Sequence, residues 1–333
     1  MTSTFKGLVV RASDAPPTIE TLSLDQLPPG DVLIDVRYST LNYKDGLALN
    51  TPEKVIRRFP MIPGVDFSGV VLESSSPDYR AGDEVILTGW EVGEKYWGGY
   101  AQRARVKSEW LVPLPAGLTL KQAMAVGTAG VTAMLCVEAL AAHAVVPGGR
   151  PVAVTGAAGG VGSLSVAILA KRGYTVAAVT GRAHEAAYLR SLGASEVIGR
   201  EEVMAGAARP LQSERWAGAV DNVGGPILGA LFPAIQHGGS VAACGNAAGL
   251  TFTASVLPFI LRGVNLLGIN SLFVPAPRRR EIWARLVQDL QPAVLEEVTA
   301  VVPLSRLMEV SREILAGRVR GRTVVDLSDA PGQ

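Results

Sequence analysis

A glycine-rich turn between an apolar run and a helical pattern constrains the fold of this chain more than any other feature. The stretch is Pro151–Ser163, with the sequence PVAVTGAAGGVGS, and its β-branched run ends at Gly156. A helical face follows, formed by Val161, Leu164 and Ile168 at spacings of three and four. Small residues let a phosphate approach the backbone, and a helix start offers unpaired N–H groups. The stretch predicts the strand, turn and helix that bind a dinucleotide's pyrophosphate; a plain turn is the alternative.

Length and composition favour a globular protein of two domains. The chain has 333 residues, of which 48% are hydrophobic and 18% charged. A formal net charge of +1 gives no support for a nucleic-acid or membrane surface as the main partner. The two cysteines, Cys136 and Cys244, lie in apolar segments, which argues against a disulfide framework and a cysteine-rich metal motif. No secretory signal pattern begins the sequence, so we expect a cytoplasmic protein.

The first part of the chain consists of short strand patterns separated by turns. In Val32–Tyr38 apolar residues alternate with polar ones, as in a half-buried antiparallel strand. Similar patterns occur in Phe5–Val10, Phe67–Glu73 and Glu84–Thr88, and we find no helix-length pattern among them. Residues 1–122 are therefore predicted to form a β-rich domain, a distorted barrel.

The pattern changes at Thr119, where Thr119 and Gln122 fit a capping box. An Ala-rich helical region follows, to about His143, and strands then alternate with helices. Six such strands predict an α/β domain with a doubly wound parallel sheet, the Rossmann arrangement, over residues 123–270. The strands are Val152–Thr155, Thr175–Thr180, Glu196–Ile198, Ala219–Asn222, Ser240–Cys244 and Asn265–Asn270.

The remaining segment, residues 271–333, is predicted to return to the β-rich domain. It contains an amphipathic helix over Arg279–Leu290, a short helix over Leu304–Ala316 and a closing strand over Arg322–Leu327. We expect a cleft between the two domains.

The end of the second predicted parallel strand indicates which dinucleotide is bound. NAD enzymes usually carry an acidic residue there, which bonds the ribose hydroxyls. This chain has Thr180, Gly181 and Arg182 instead, and Arg200 ends the next strand. Because arginine grips a phosphate with paired hydrogen bonds, the pattern predicts NADPH; two solvated surface arginines are the alternative.

Neither a metal site nor a hydrolase triad is indicated. The three histidines, His143, His184 and His237, have no second ligand at a useful spacing. The Gly-x-Ser-x-Gly motif is absent, and Ser68 fits a strand better than a nucleophile. A metal-free mechanism is expected.

With these features in this order, the chain resembles the medium-chain dehydrogenase/reductase superfamily over its full length. Zinc members carry a Gly-His-Glu motif and a catalytic cysteine. The matching stretches here are Gly64-Val65-Asp66 and Leu41-Asn42-Tyr43-Lys44-Asp45. The zinc ligands and the four-cysteine structural lobe are missing, so the resemblance is to the zinc-free quinone-oxidoreductase branch, which implies a GroES-like domain beside the Rossmann domain.

Three longer strings, at 89–101, 215–221 and 257–264, resemble the NADPH-dependent acryloyl-CoA reductases. This resemblance implies reduction of acryloyl-CoA to propionyl-CoA by a homodimer or larger homo-oligomer. It also implies a set of NADPH contacts. These are Tyr43, Ala158, Gly159, Gly160, Val161, Thr180, Gly181, Arg182, Arg200, Asn246, Ile260, Ser271 and Arg322.

The loop in the position of the zinc site is our candidate for the catalytic residues. Hydride addition to the β-carbon of an enoyl thioester builds negative charge on the thioester oxygen, which needs donors aimed at it. Tyr43 is predicted to orient the nicotinamide or donate a proton, and Asn42 or Lys44 to hydrogen-bond the oxyanion. Equally, Lys44 and Asp45 fit structural partners at a helix start.

Other assignments stay open at this stage. Arg57–Arg58 and Arg278–Arg280 are candidate contacts for the CoA phosphates, although solvated helix faces explain both runs. Reduction of quinones or enones uses the same cofactor and no metal, and an NADPH-binding sensor is a further alternative. The apolar last strand, Val264–Ile269, would as an unpaired edge invite a strand from a second subunit.

Overall fold

The structure is a computed structural model that describes residues 4–328, and the chain divides into two compact units. The first unit comprises the residues up to Thr128, Leu272–Val287 and the residues from Leu295 on. The second comprises Ala129–Ser271 and Gln288–Val294. The chain thus leaves the first unit six residues after the predicted boundary at 122, and 288–294 pack with the second unit.

Strands and helices are numbered here in chain order. The strands are β1 (Thr4–Val9), β2 (Thr18–Ser23), β3 (Val32–Leu41), β4 (Asp66–Ser74), β5 (Glu84–Thr88), β6 (Arg103–Val106), β7 (Leu111–Pro113), β8 (Val152–Thr155), β9 (Val176–Thr180), β10 (Glu196–Gly199), β11 (Trp216–Asp221), β12 (Ile235–Ala243), β13 (Asn265–Gly268), β14 (Thr299–Pro303) and β15 (Arg322–Asp326). The α-helices are α1 (Tyr43–Asn50), α2 (Leu120–Ala142), α3 (Gly160–Lys171), α4 (Ala186–Ser191), α5 (Arg200–Ala205), α6 (Gly225–Leu231), α7 (Leu257–Arg262), α8 (Ala276–Asp289), α9 (Pro292–Glu297) and α10 (Leu307–Leu315).

The first unit is β-rich, as predicted. Its main sheet has the order β14-β15-β3-β4-β5-β7, with β6 also paired to β3, and β1 and β2 form a separate two-stranded sheet. β15 pairs antiparallel with β3, so the tail of the chain does return to this unit. Alternating apolar residues of β3 and β4, such as Ile34, Val36 and Phe67, are buried in its core.

A helix interrupts the strand series, and the expectation of an unbroken series was wrong. α1 has eight residues, and its first turn is closed by Asn42 and the N3 residue Asp45. It is held by packing on α10: a Cβ at Gly46 would lie 2.9 Å from Cγ2 of Ile314. Such a short helix depends on tertiary contacts, which a local pattern does not reveal.

The second unit is a six-stranded parallel sheet with the order β10-β9-β8-β11-β12-β13. Counted from β8, this is the order 3-2-1-4-5-6 of the Rossmann fold, and it confirms the predicted architecture. The order reverses between β8 and β11, so ligands are expected beyond the carboxyl ends of these two strands.

α2 begins at the predicted capping box and breaks at Gly127. Thr119 N–H donates to Oε1 of Gln122 (3.0 Å), and Gln122 N–H donates to Oγ1 of Thr119 (3.2 Å). Gly127 has φ +50°, outside the helical region. Within residues 4–328, α2 is the one helix with the length and apolar composition of a membrane span, but 78% of that window is buried in the protein, as in a core helix.

Candidate cofactor and catalytic site

The glycine turn after β8 presents main-chain donors at the start of α3. Gly159 precedes the helix and has no side chain to cap it, and no acidic residue occupies the first turn. The N–H groups of Gly160, Val161 and Gly162 therefore have no acceptor within the helix. A Cβ at Gly162 would lie 2.2 Å from the carbonyl oxygen of Gly156, so only glycine lets α3 pack on the turn. This turn fits a pyrophosphate.

Two arginines flank the turn that follows β9. The Arg182 guanidinium donates from Nη2 to the carbonyl oxygen of Ala158 (3.0 Å), and Arg182 N–H donates to Oγ1 of Thr180 (3.0 Å). The Arg200 guanidinium carbon lies 3.5 Å from the Cβ position at Gly181, in van der Waals contact. The structure thus brings Ala158, Thr180, Gly181, Arg182 and Arg200 together. No carboxylate ends β9, but Glu185 follows in the chain: its Oε1 lies 3.8 Å from Nη1 of Arg182.

A buried network ties the strand ends at the point where the sheet order reverses. Oδ1 of Asp221 accepts from Oγ1 of Thr155 (2.6 Å), and its Oδ2 accepts from Gly224 N–H (2.8 Å). Asn222 Nδ2 donates to the carbonyl oxygen of Thr155 (2.7 Å). Burial raises the pKa of Asp221, while the Thr155 bond opposes that shift. Sequence reasoning missed Asp221; a carboxylate at the end of a buried strand was the available signal.

Three further predicted contacts lie elsewhere in the second unit. Asn246 is exposed, and its Cα lies 3.0 Å from the Cβ position at Gly224. Ile260 lies on α7 with 70% of its surface exposed. Ser271 follows β13 and accepts a hydrogen bond from Oγ1 of Thr132 (2.8 Å).

In the first unit, Asn42 is the centre of a hydrogen-bond network. Its Nδ2 lies 2.8 Å from Oγ1 of Thr40, 2.9 Å from Oδ1 of Asp66 and 3.1 Å from Oδ2 of Asp45. Its Oδ1 accepts from Nη1 of Arg322 (2.9 Å). The amide is therefore committed to holding the start of α1.

The other two candidate catalytic residues are half-buried at the start of α1. Lys44 forms an ion pair with Glu94 in the loop after β5, and 38% of its side chain is exposed. Tyr43 makes no hydrogen bond through its hydroxyl to a protein atom within residues 4–328. The Tyr43 hydroxyl is therefore available to a ligand, and the Lys44 ammonium keeps N–H donors beyond the one that it gives to Glu94.

Two carboxylates and one guanidinium are buried at the start of α1, to which Asp45 itself belongs, and sequence reasoning did not identify the carboxylates as a cluster. Asp66 accepts from Oγ1 of Thr40 (2.6 Å) and from Thr128 N–H (2.6 Å), whereas Arg322 donates to the carbonyl oxygen of Ala125 (3.0 Å). Asp45 accepts from Val65 N–H (3.0 Å). Asp45, Asp66 and Arg322 are each at most 2% exposed.

Burial shifts the pKa values in this cluster. Burial, reinforced by the charge of Asp66, raises the pKa of Asp45 to about 7. Burial also lowers the pKa of Arg322, although Asp66 and Asp45 oppose that shift. At neutral pH Asp45 is therefore protonated in about half of the molecules. Arg322 is almost fully buried and already donates to Ala125 and Asn42. It can therefore contact a cofactor only if these partners move.

The arginine run 278–280 does not form a cationic patch, so the CoA-phosphate assignment for Arg279 was wrong. Arg279 is 1% exposed and donates from Nη1 to Oγ1 of Thr88 (2.7 Å); its guanidinium also lies 5.5 Å from the ring of Trp90. Burial lowers the pKa of Arg279 to about 10. On α8 the three side chains point in different directions, and the middle one enters the core.

Residues that suggested other chemistries have structural roles. Ser68 lies in β4, fully buried, and its Oγ donates to the carbonyl oxygen of Leu120 (2.8 Å). Across residues 4–328, no group of three or more His, Cys, Asp or Glu side chains is placed to hold a metal ion. Cys136 and Cys244 are both free thiols.

Comparisons with known proteins agree with this architecture. Residues 28–116 match the family model of the alcohol dehydrogenase GroES-like domain, and residues 160–288 match that of the zinc-binding dehydrogenases. Acrylyl-CoA reductase AcuI of Ruegeria pomeroyi is 51% identical over 97% of this chain and 99% of its own.

Two further proteins are similar in sequence and structure. The yhdH oxidoreductase of Salmonella enterica, crystallised in complex with NADP, is 48% identical with a TM-score of 0.92, covering 96% of this chain and 99% of its own. The putative quinone oxidoreductase YhfP of Bacillus subtilis is 45% identical over 98% of this chain and 100% of its own, and its crystal structure with NAD bound has a TM-score of 0.94. The chain therefore belongs to the medium-chain dehydrogenase/reductase superfamily, in the group that contains acrylyl-CoA reductase AcuI.

Proposed function

We propose that this protein reduces acryloyl-CoA to propionyl-CoA with NADPH, by hydride addition to the β-carbon of the enoyl thioester. The observation that carries the proposal is the similarity to acrylyl-CoA reductase AcuI, which extends over nearly the whole of both chains. The two arginines that flank the turn after β9 support NADPH over NADH.

The predicted cofactor contacts are assigned here to the parts of NADPH that they bind. The free N–H groups at the start of α3 and the small residues Ala158–Val161 receive the pyrophosphate. Thr180, Gly181, Arg182 and Arg200 receive the 2′-phosphate, with the two guanidinium groups as its charged partners. Asn246, Ile260, Ser271, Tyr43 and Arg322 are the remaining predicted contacts. The nicotinamide supplies the hydride when NADPH is bound.

The residues at the start of α1 are proposed to act on the substrate. The Tyr43 hydroxyl, which has no protein acceptor among the described residues, donates a hydrogen bond or a proton. Lys44, paired with Glu94, supplies positive charge for the enolate oxygen. Asn42 contributes its amide only if it gives up one of its bonds to Thr40, Asp45 or Asp66.

We propose that no metal takes part, because Leu41–Asp45 and Gly64–Asp66, the stretches that match the zinc-ligand regions of the superfamily, contain neither cysteine nor histidine. The test is metal analysis of purified protein, with activity measured before and after dialysis against a chelator. Stoichiometric zinc that is needed for turnover would contradict this part.

The CoA phosphates are proposed to bind Arg57 and Arg58, which are exposed and make no ion pair within residues 4–328. We expect the KM for acryloyl-CoA to rise with salt, because screening weakens such contacts. Arg57→Gln combined with Arg58→Gln should abolish that salt dependence. A salt dependence that the double variant keeps would remove the assignment.

The decisive experiment follows NADPH absorbance with acryloyl-CoA, crotonyl-CoA and a quinone as separate acceptors. Turnover with acryloyl-CoA, with propionyl-CoA as the product, supports the proposal. Turnover with the quinone alone would favour quinone reduction, which the similarity to YhfP makes the second candidate. No turnover, together with tight NADPH binding, would indicate a sensor.

We further propose a cytoplasmic homodimer. β13 is the last strand of its sheet and, among residues 4–328, pairs only with β12; its Leu266 is 43% exposed. Such an edge accepts a strand from a second copy. For the dimer, light scattering should show that Leu266→Lys converts the protein to a monomer. For the cytoplasmic location, the test is cell fractionation.

A further inference from the structure

The loop that follows β5 has a strained backbone. Within Gly89–Gly93, four of the five residues have φ between +59° and +84°. Two of them, Trp90 (φ 60°) and Glu91 (φ 59°), carry side chains, whose Cβ atoms crowd the main chain in this left-handed region. Consecutive residues of this kind persist only where the surrounding contacts impose the conformation, and they cluster at functional sites. The residue that this loop holds in place is Glu94.

The main chain of Glu94 is fixed from two sides. The carbonyl oxygen of Glu91 accepts from the N–H groups of Glu94 (3.2 Å), Lys95 (2.9 Å) and Tyr96 (3.2 Å). The carbonyl oxygen of Glu94 accepts from Arg57 N–H (2.8 Å), which lies in the segment after α1. The turn at Glu91 therefore determines where the Glu94 side chain starts.

The Glu94 side chain reaches the start of α1 and forms an ion pair with Lys44. Only 14% of the Glu94 side chain is exposed, so its carboxylate would lose much by giving up this partner. A lysine side chain has several rotatable bonds, and the pairing removes much of that freedom. The ammonium has three N–H donors and gives one to Glu94, so two are left for another acceptor.

We propose that Glu94 is a positioning residue for the reduction: it holds the Lys44 ammonium where negative charge develops on the oxygen of the hydride acceptor. Glu94 does not touch the substrate and acts only through Lys44. A donor that is already in place stabilises the developing charge better than one that must be ordered during the reaction. This inference rests on the proposed function, in which that oxygen belongs to the thioester.

The neighbouring ion pair on the same loop provides a matched control. Glu91 pairs with Lys95 at 3.3 Å, four residues further along the chain, so both partners belong to the turn itself. Glu94 instead pairs with a residue on α1. Removal of the Glu91 carboxylate should therefore disturb the loop locally without releasing Lys44.

The test compares kcat and KM for acryloyl-CoA, the Kd for NADPH and the unfolding free energy among single and double variants. We expect Glu94→Ala to lower kcat about tenfold with little change in the Kd for NADPH. Glu94→Gln keeps an acceptor oxygen for the ammonium, so it should lose less. Glu91→Ala should keep kcat within about twofold. Lys44→Met should lower kcat about a hundredfold, and Glu94→Ala added to it should cause no further loss.

Three results would overturn the inference. The first is an unchanged kcat in Glu94→Ala. The second is a further loss of kcat when Glu94→Ala is added to Lys44→Met, because Glu94 would then act independently of Lys44. The third is an equal loss of kcat in Glu91→Ala, which would show a merely structural role for the loop. If Glu94→Ala does not fold, Glu94→Gln alone and combined with Lys44→Met gives the same comparison.

The proposed function fails separately. Turnover with a quinone but not with acryloyl-CoA would remove the proposed substrate. The same variants would then be measured with the quinone, whose oxygen also gains negative charge, and the three results above decide the inference there. If neither acceptor is reduced, the proposed function and this inference are both wrong.

Discussion

Arg182 and Ala158 are joined by a hydrogen bond of 3.0 Å between a guanidinium nitrogen and a main-chain oxygen. One residue follows β9 and the other belongs to the glycine turn after β8, so a single side chain spans the proposed 2′-phosphate and pyrophosphate positions. Because the carbonyl of Ala158 fixes the guanidinium, less side-chain entropy is lost when a phosphate binds.

The arginines should differ in their effects on the two nicotinamide cofactors. Arg200→Ala removes a charge that lies beside the Gly181 turn, with Oε1 of Glu201 3.8 Å from its Nη2, so we expect the Kd for NADPH to rise about tenfold or more and that for NADH to stay unchanged. Arg182→Ala should weaken both, NADPH more strongly, since the bond to Ala158 is lost as well. Isothermal titration with both cofactors measures this, with the exposed Arg190→Ala as control. Equal losses for NADH and NADPH in Arg200→Ala would contradict the 2′-phosphate assignment.

Gly162 should tolerate no side chain. Gly162→Ala places a Cβ 2.2 Å from the Gly156 oxygen, so the helix must move away from the turn. We expect a loss of about 1–3 kcal/mol in unfolding free energy and a marked loss of NADPH affinity. Gly149→Ala is the control, because the nearest atom to that Cβ position, the carbonyl oxygen of Val146, lies 3.5 Å away in ordinary van der Waals contact. Denaturant titration measures the unfolding free energy of both variants. Equal values would contradict the prediction, because they would show that the turn accommodates the Cβ without cost.

Tyr43→Phe should separate chemistry from binding. If the hydroxyl donates to the substrate, we expect kcat with acryloyl-CoA to fall about tenfold or more while the KM and the unfolding free energy change little. The phenol makes no protein hydrogen bond among the described residues, so its removal leaves the fold intact. Full turnover and unchanged cofactor affinity in this variant would remove the role given to Tyr43.

Asp45 should make stability depend on pH. Its pKa is raised from 3.8 in the unfolded chain to about 7 in the folded protein, so the folded state binds its proton more tightly. This contribution to stability is complete below about pH 4 and is lost as the pH rises to about 7. Asp45→Asn keeps the shape and carries no charge, so its unfolding free energy relative to the unmodified protein should improve by about 2–3 kcal/mol between pH 5 and pH 8.

Denaturant titrations at both pH values measure this difference. Asp14→Asn is the control, since Asp14 is exposed in a loop. If the unfolding free energy of Asp45→Asn relative to the unmodified protein stays constant or falls from pH 5 to pH 8, Asp45 is ionised over that whole range and the prediction is wrong.

The features that sequence predicted well are those decided locally. The β-branched run before Gly156, the following helix and the capping box at Thr119 and Gln122 each depend on neighbours within a few residues, and the structure confirms them. The Rossmann order followed from the alternation of strands and helices. The residues assigned to NADPH and to catalysis remain predictions.

The features that sequence missed depend on distant partners. Asp66 lies in an apolar strand, and its partners Thr40 and Thr128 come from elsewhere in the chain. Arg279 is one of three consecutive arginines, and only the rotation of α8 shows which one is buried. Local periodicity carries no information on such contacts, because each depends on the packing of a second element.

The position of Arg322 has a consequence for the order in which a newly made chain can fold. Asp45 and Asp66 are synthesised early, whereas the cation that faces them arrives with β15, after the whole parallel sheet has left the ribosome. Without Arg322 the two carboxylates would be buried with no cation facing them. The first unit is therefore completed only after the second has been translated.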